Sequence, residues 1–238
     1  MRRLGLTSSN YQWPDDEKSR VGLSRYLEAV SDAGAQGEPL WLPPDEESAS
    51  EIAARTNHLA ATLDGLILSG GKDLPPAMYG EEPRGDAHLQ FVPPARPVFE
   101  AALLREFLER GKPVLGICYG CQFANVWRAG SLIQDIPTQL PDAIAHGDAR
   151  HAVHVAPDTL LHGTLGLEGC DIQSFHHQSI ARVAPDARVT AVASDGVIEA
   201  IEFSGAPFFV GVQWHPEYDR AAVATQRLFS ALVKSAGG

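Results

Sequence analysis

Two short segments carry most of the chemistry this chain can offer. Gly116-Ile117-Cys118-Tyr119-Gly120 places a thiol between two glycines directly after the apolar run Val114-Leu115, and Gln213-Trp214-His215-Pro216-Glu217 offers an imidazole and a carboxylate two residues apart. Nucleophile, base and orienting acid are the parts of a covalent acyl-transfer centre, so a cysteine hydrolase or acyl transferase leads the reading. Gly-x-Cys-x-Gly has the form of a strained strand-to-helix elbow that exposes its central residue. A helix starting there aims its positive dipole end at the sulfur, which favours thiolate. A buried cysteine acting as a small hydrophobe is the alternative, and it is the reading for Cys121 and Cys170. His215 precedes a proline and is therefore extended, so Glu217, two residues on, falls on the same side.

Three further groups bear on such a centre. Gly70-Gly71 ends an apolar run, either as a plain tight turn or as a loop whose exposed N–H joins that of Tyr119 in stabilising an oxyanion. His176-His177-Gln178 presents adjacent histidines that point to opposite faces of a strand, with no Cys or Asp spacing to complete a ligand set. No metal site is expected. His151 and His154 show no partner in the sequence and read as surface or core residues.

The elements that must position these groups alternate in the first half. Arg3–Thr7 reads as a strand, 20–33 as a helix, 39–42 as a strand and 49–61 as a helix. A buried strand over 64–68 runs into Ser69-Gly70-Gly71. The clearest helix spans 97–110, with proline in its first turn and Gly111 as its cap. Val114–Ile117 then leads into the cysteine turn and a helix to about Trp127. This alternation predicts a doubly wound parallel sheet. The second half reads as an antiparallel meander of strands at 153–155, 180–183, 189–193, 197–203 and 208–212, closed by a helix over 219–233. Segments 11–18, 43–47 and 73–97 are expected to be mobile.

At 238 residues the chain suits a single domain over 1–238, and its 44% hydrophobic and 21% charged residues are ordinary for a globular protein. A net charge of -11 without a basic stripe argues against nucleic acid as a partner. No apolar run is long enough for a membrane span or a signal-peptide core, and three cysteines are too few for a disulfide scaffold. A reduced, cytoplasmic location is expected.

Taken in order along the chain, these segments resemble the class I glutamine amidotransferase superfamily, and more closely its γ-glutamyl hydrolase-like branch. The resemblance rests on Ser69-Gly70-Gly71-Lys72-Asp73 with Pro76 and Tyr79, Gly116 to Gln122, Asn125-Val126 and Gly130-Ser131-Leu132. It continues through Ser174 to Gln178, Asp195 to Glu202, and Gly211 to Glu217. It implies a flavodoxin-like α/β fold, with Cys118 as nucleophile, His215 as base and Glu217 as orienter. It also implies an oxyanion hole from the Gly71 and Tyr119 N–H groups, and substrate contacts from Gln122, His176, His177 and Gln178. The branch usually has Arg where this chain has Tyr119, Glu-Leu where it has Phe123-Ala124, and Asn where it has Gln173. These changes bear on the leaving group.

The expected activity is hydrolysis of a γ-glutamyl amide, such as γ-glutamyl-γ-aminobutyrate, through a thioester and without metal or cofactor. One rival is a glutaminase subunit that delivers ammonia to a partner synthetase. The other is a non-catalytic binding or regulatory protein that keeps the fold. The amine leaving group and the oligomeric state, a homodimer included, stay open.

Overall fold

The computed structural model describes residues 1–44 and 46–237. Asp45, within the segment 43–47 expected to be mobile, lies outside the described residues.

A nine-stranded sheet organises the chain in the order β2-β1-β3-β4-β11-β10-β9-β6-β7. Its parallel half consists of β1 (Arg3–Thr7), β2 (Gln36–Leu40), β3 (Gly65–Leu68), β4 (Val114–Ile117) and β11 (Phe209–Val212). The inner members β3, β4 and β11 are buried along their whole length, as expected of strands covered on both faces. The antiparallel half is β10 (Ile198–Phe203), β9 (Ala187–Ala193), β6 (Ala149–Val155) and β7 (Gly169–Ser174). Helices cover both faces. One apolar core lies under α1 (Glu17–Asp32) and the last helix (Val223–Ser235). The other lies under α2 (Ala49–Thr62), α3 (Ala95–Glu109) and α4 (Tyr119–Trp127).

The expected doubly wound sheet with added antiparallel strands is present, with local differences. β2 begins earlier than the apolar residues suggest and contains Pro39, which an edge strand tolerates because one row of its N–H groups has no partner. α1 starts at Glu17 because Asp16 caps it, its carboxylate accepting from the Ser19 N–H at 2.8 Å. The 180–183 segment stays outside the main sheet: β8 (Ser179–Arg182) pairs with β5 (Ser131–Ile133) in a separate ribbon. β7 escapes the sequence reading because it is a half-exposed edge strand with one buried aliphatic, Ile172. The 73–97 stretch is pinned by a bridge between Asp73 and Phe91.

The carboxyl ends of β1, β3, β4 and β11 lie side by side, and each is followed by one segment of interest. These are Ser8-Ser9, Ser69-Gly70-Gly71, Cys118 and Gln213-Trp214-His215. An open parallel sheet presents its site at this edge. Among the described residues no helix is long and apolar enough to cross a membrane.

Candidate active site

Cys118 sits between β4 and α4 with φ 52° and ψ −108°, a backbone conformation that a non-glycine residue adopts only under constraint. The constraint is visible on both sides. The Cys118 N–H donates to the Val212 carbonyl at 2.8 Å, which locks the turn to β11. Gly120 packs so closely on β3 that an added Cβ would lie 2.1 Å from the Leu68 carbonyl oxygen. The elbow read from the sequence is therefore formed. Tyr119 opens α4, so its N–H has no carbonyl one turn earlier in the helix to accept it.

His215 arrives from β11. Its Nδ1 lies 2.6 Å from Glu217 Oε1, and the Cys118 sulfur is close enough to act on the ring electrostatically. Burial alone would push the imidazole down. The charges of Glu217 and Cys118 outweigh burial and hold it well above an ordinary histidine. The extended reading of 215–217 needs correction. Pro216–Tyr218 forms a 3₁₀ turn, and this turn, rather than strand alternation, folds Glu217 back onto the ring. Phe175 and Tyr218 flank the imidazole at ring separations of 5.6 and 5.8 Å.

The Ser69-Gly70-Gly71 loop closes over this pair. A Cβ at Gly70 would stand 2.7 Å from His215 Cε1, and one at Gly71 would stand 3.4 Å from Tyr119 Cγ. Two residues the sequence reading passed over hold the loop. Tyr26, on α1, accepts from the Gly70 N–H at 3.0 Å, and burial and the Glu217 carboxylate beside it push its phenol well up. Arg96, on α3, is fully buried and spends its guanidinium on this loop. It donates to Ser69 O (2.8 Å), Ser69 Oγ (3.1 Å), Gly70 O (3.1 Å), Ser9 Oγ (2.6 Å) and Glu100 Oε1 (3.0 Å). It also lies 4.0 Å above the Tyr119 ring. Thr7 ties the same group to β1, donating to Glu100 and accepting from the Ser69 N–H. The signal for Arg96 was present: a charge pair at i and i+4, Arg96 and Glu100, on a helix face whose other buried members are Pro97, Phe99, Leu103, Leu104 and Phe107.

The remaining expected residues divide into two sets. His177 borders a cavity of about 420 Å³ beside Gly71, together with Lys72, Asp73, His88, Gln90 and Asp135. Its ring bridges Asp73 and Asp135 at 2.9 Å each, and these partners raise it to about 9 against partial burial. Gln122, His176 and Gln178 are buried beneath that surface. Gln122 donates to Gln178 O and Gln213 Oε1, and Gln178 donates to Gln134 O. His176 and His177 lie in the connection between β7 and β8 rather than in a strand, and there His176 faces Glu199 while His177 faces Asp73 and Asp135. Cys121 and Cys170 stand apart from the imidazole, and burial pushes Cys121 well up and Cys170 to about 11. His151, read as lacking a partner, has one in Glu199 at 3.0 Å.

Residues 5–217 match the peptidase C26 family. The chain belongs to that family. Peptidase C26 membership supports a hydrolase. Among its relatives, Rv2859c of Mycobacterium tuberculosis is 40% identical over 221 residues, covering 90% of this chain and 67% of that one. The γ-glutamyl-γ-aminobutyrate hydrolase PuuD of Escherichia coli K12 is 32% identical over 222 residues, covering 86% and 81%. The fold of this peptidase C26 member is shared with the glutaminase domain of Trypanosoma brucei CTPS, with a TM-score of 0.69 at 14% identity over all of this chain and 94% of that one. The class I glutamine amidotransferase fold expected from the motifs is thus the fold observed.

Proposed function

We propose that this protein hydrolyses the γ-glutamyl amide bond of a small γ-glutamyl compound. The carrying observation is the line Cys118, His215, Glu217, in which a sulfur in a constrained elbow acts electrostatically on an imidazole held at 2.6 Å by a buried carboxylate. In this reading the Cys118 thiol passes its proton to His215, and the sulfur then attacks the γ-carbonyl carbon as the carbonyl π electrons move onto oxygen. The N–H groups of Gly71 and Tyr119 receive that oxyanion. His215, charged through its contacts with Glu217 and Cys118, protonates the departing amine and leaves a γ-glutamyl thioester. The neutral imidazole then takes a proton from water, whose attack on the thioester releases glutamate and restores the thiol.

A glutamyl head carries one ammonium and one carboxylate, so it needs contacts of both signs. The cavity beside Gly71 is lined by groups of both signs, Lys72 and His177 together with Asp73 and Asp135. The 32% identity with PuuD supports γ-glutamyl-γ-aminobutyrate as the first compound to test. The experiment is glutamate release from a panel of γ-glutamyl amides, glutamine among them, by wild type and Cys118→Ala. Turnover of at least one amide by wild type, with loss of about 10⁴-fold or more in the folded variant, is expected for removal of a covalent nucleophile. A Cys118→Ala protein with wild-type turnover would overturn the assignment. Turnover of glutamine alone, and only beside a synthetase, would move the reading to an ammonia-delivering subunit.

A further inference from the structure

The geometry points to a binding site for one divalent transition-metal ion, zinc above others, formed by His146, His151 and Glu199 and backed by His176. It lies in the antiparallel half of the sheet, apart from the Cys118–His215 pair. His151 is on β6 and Glu199 on β10, while His146 precedes β6 and His176 follows β7. β9 pairs with β6 only from Val153 onward, so His151 lies past that ladder, where Glu199 can reach it.

Glu199 Oε1 is 3.0 Å from His146 Nδ1, 3.0 Å from His151 Nε2 and 3.4 Å from His176 Nε2. One ligand atom from each of His146, His151 and Glu199 lies within 4.8 Å of the others. Nitrogen and oxygen ligands bound tetrahedrally at zinc distances stand about 3.3 Å from one another, close to the 3.0 Å that separates Glu199 Oε1 from His146 Nδ1 and from His151 Nε2. The side chains are 7% exposed or less.

Proximity alone would describe a hydrogen-bonded cluster, but alignment separates the two cases. Among the described residues, His146 Nδ1, His151 Nδ1, His176 Nε2 and Glu199 Oε2 are buried with no hydrogen-bond partner, although His146 Nδ1 and His176 Nε2 stand 3.0 and 3.4 Å from Glu199 Oε1. Atoms this close that do not point at each other leave their lone pairs for a third body. His151 Nε2 is hydrogen-bonded to Glu199 Oε1 at 3.0 Å, through a proton that a metal ion would replace. The outer contacts fit the same reading. His146 Nε2 meets Asp195 Oδ2 at 2.9 Å, and His176 Nδ1 meets the Gln178 carbonyl at 2.9 Å. A carboxylate or carbonyl behind the far ring nitrogen is what fixes the tautomer and orientation of a ligating histidine.

Charge decides the valence. Glu199 and Asp195 bring two negative charges into a buried space that holds no Lys or Arg partner for them among the described residues, and a divalent ion would balance both. Imidazole nitrogens with one carboxylate favour zinc over magnesium or calcium, which take all-oxygen sets. The sequence reading set metal aside because His176 and His177 diverge. They do diverge, and the fold brings His146 and His151 in from elsewhere.

The test uses the 238-residue protein, stripped with a chelator and dialysed. It is titrated with Zn²⁺ against a chromophoric competitor and, separately, with Co²⁺. One equivalent of zinc should bind at micromolar affinity or tighter, and Co²⁺ should give the intense visible bands of a four-coordinate site. Affinity should fall at least 100-fold in His151→Gln and in Glu199→Gln, and stay unchanged in His154→Gln and Cys118→Ala. The last variant separates this site from the catalytic reading. Absence of stoichiometric zinc binding by wild type, or a weak octahedral cobalt spectrum, would overturn the proposal without any variant having to fold. Binding that survives in folded His151→Gln, or is lost in His154→Gln, would overturn it too.

Discussion

Replacing Arg96 with Lys tests whether the loop after β3 is held for catalysis or only for stability. The substitution keeps the positive charge beside Glu100, so no buried carboxylate is left unpaired. What changes is the number and geometry of donors. Arg96 makes five hydrogen bonds, whereas a lysine ammonium has three donors at one point and cannot span Ser9, Ser69, Gly70 and Glu100 together. At least two contacts are lost, at about 1.5 kcal/mol each for bonds to a charged donor, so stability should fall by about 3 kcal/mol. The Ser69 and Gly70 carbonyls are then free to turn, and the Gly71 N–H turns with them. Removing an oxyanion donor costs on the order of 10²–10³ in kcat, so loosening one should cost about 10–10². Urea unfolding gives the first quantity, and steady-state glutamate release the second, with KM moving less than kcat. A variant about 3 kcal/mol less stable but within twofold of wild-type kcat would refute the claim that Arg96 sets the loop for catalysis.

Three other outcomes follow from the geometry. Glu217→Gln removes the charge that holds His215 high, so its imidazolium is lost at lower pH. The alkaline limb of the kcat profile should move down in pH, and kcat should fall on the order of 10²–10⁴-fold. Gly120→Ala drives a methyl into the Leu68 carbonyl, a backbone atom that cannot step aside, so thermal unfolding should show a loss at or above the roughly 1–3 kcal/mol of overpacking. His177 is raised to about 9 in the folded chain against 6.5 as its ordinary value, so the folded state holds the extra proton between these limits. Its contribution is complete below about pH 6.5 and disappears as pH rises to about 9. Asp135→Asn should flatten that decline in urea midpoints measured across the window.

The site was legible in the sequence as far as local rules reach. Gly116-Ile117-Cys118-Tyr119-Gly120 after an apolar strand specifies an elbow because only small flanks permit the turn. His215-Pro216-Glu217 keeps its base and acid two residues apart, close enough for local rules to pair them, although by strand alternation rather than by the 3₁₀ turn the fold uses. The alternation of strand and helix to Trp127 specified a parallel sheet whose carboxyl edge holds those segments. Family order among the motifs did the rest for the fold.

Tertiary structure decided what sequence distance hides. Nothing local links Arg96 to Ser69, Tyr26 to Gly70, or His146 and His151 to Glu199. Each pair lies tens of residues apart and meets only because β-strands from different parts of the chain share one sheet. Burial then set the electrostatics, raising His215 against its own desolvation and gathering three imidazoles around one carboxylate. Residue types and spacing determine which chemistry is available. The sheet determines which of those groups meet, because hydrogen-bond alignment and charge compensation depend on distances only the folded chain fixes.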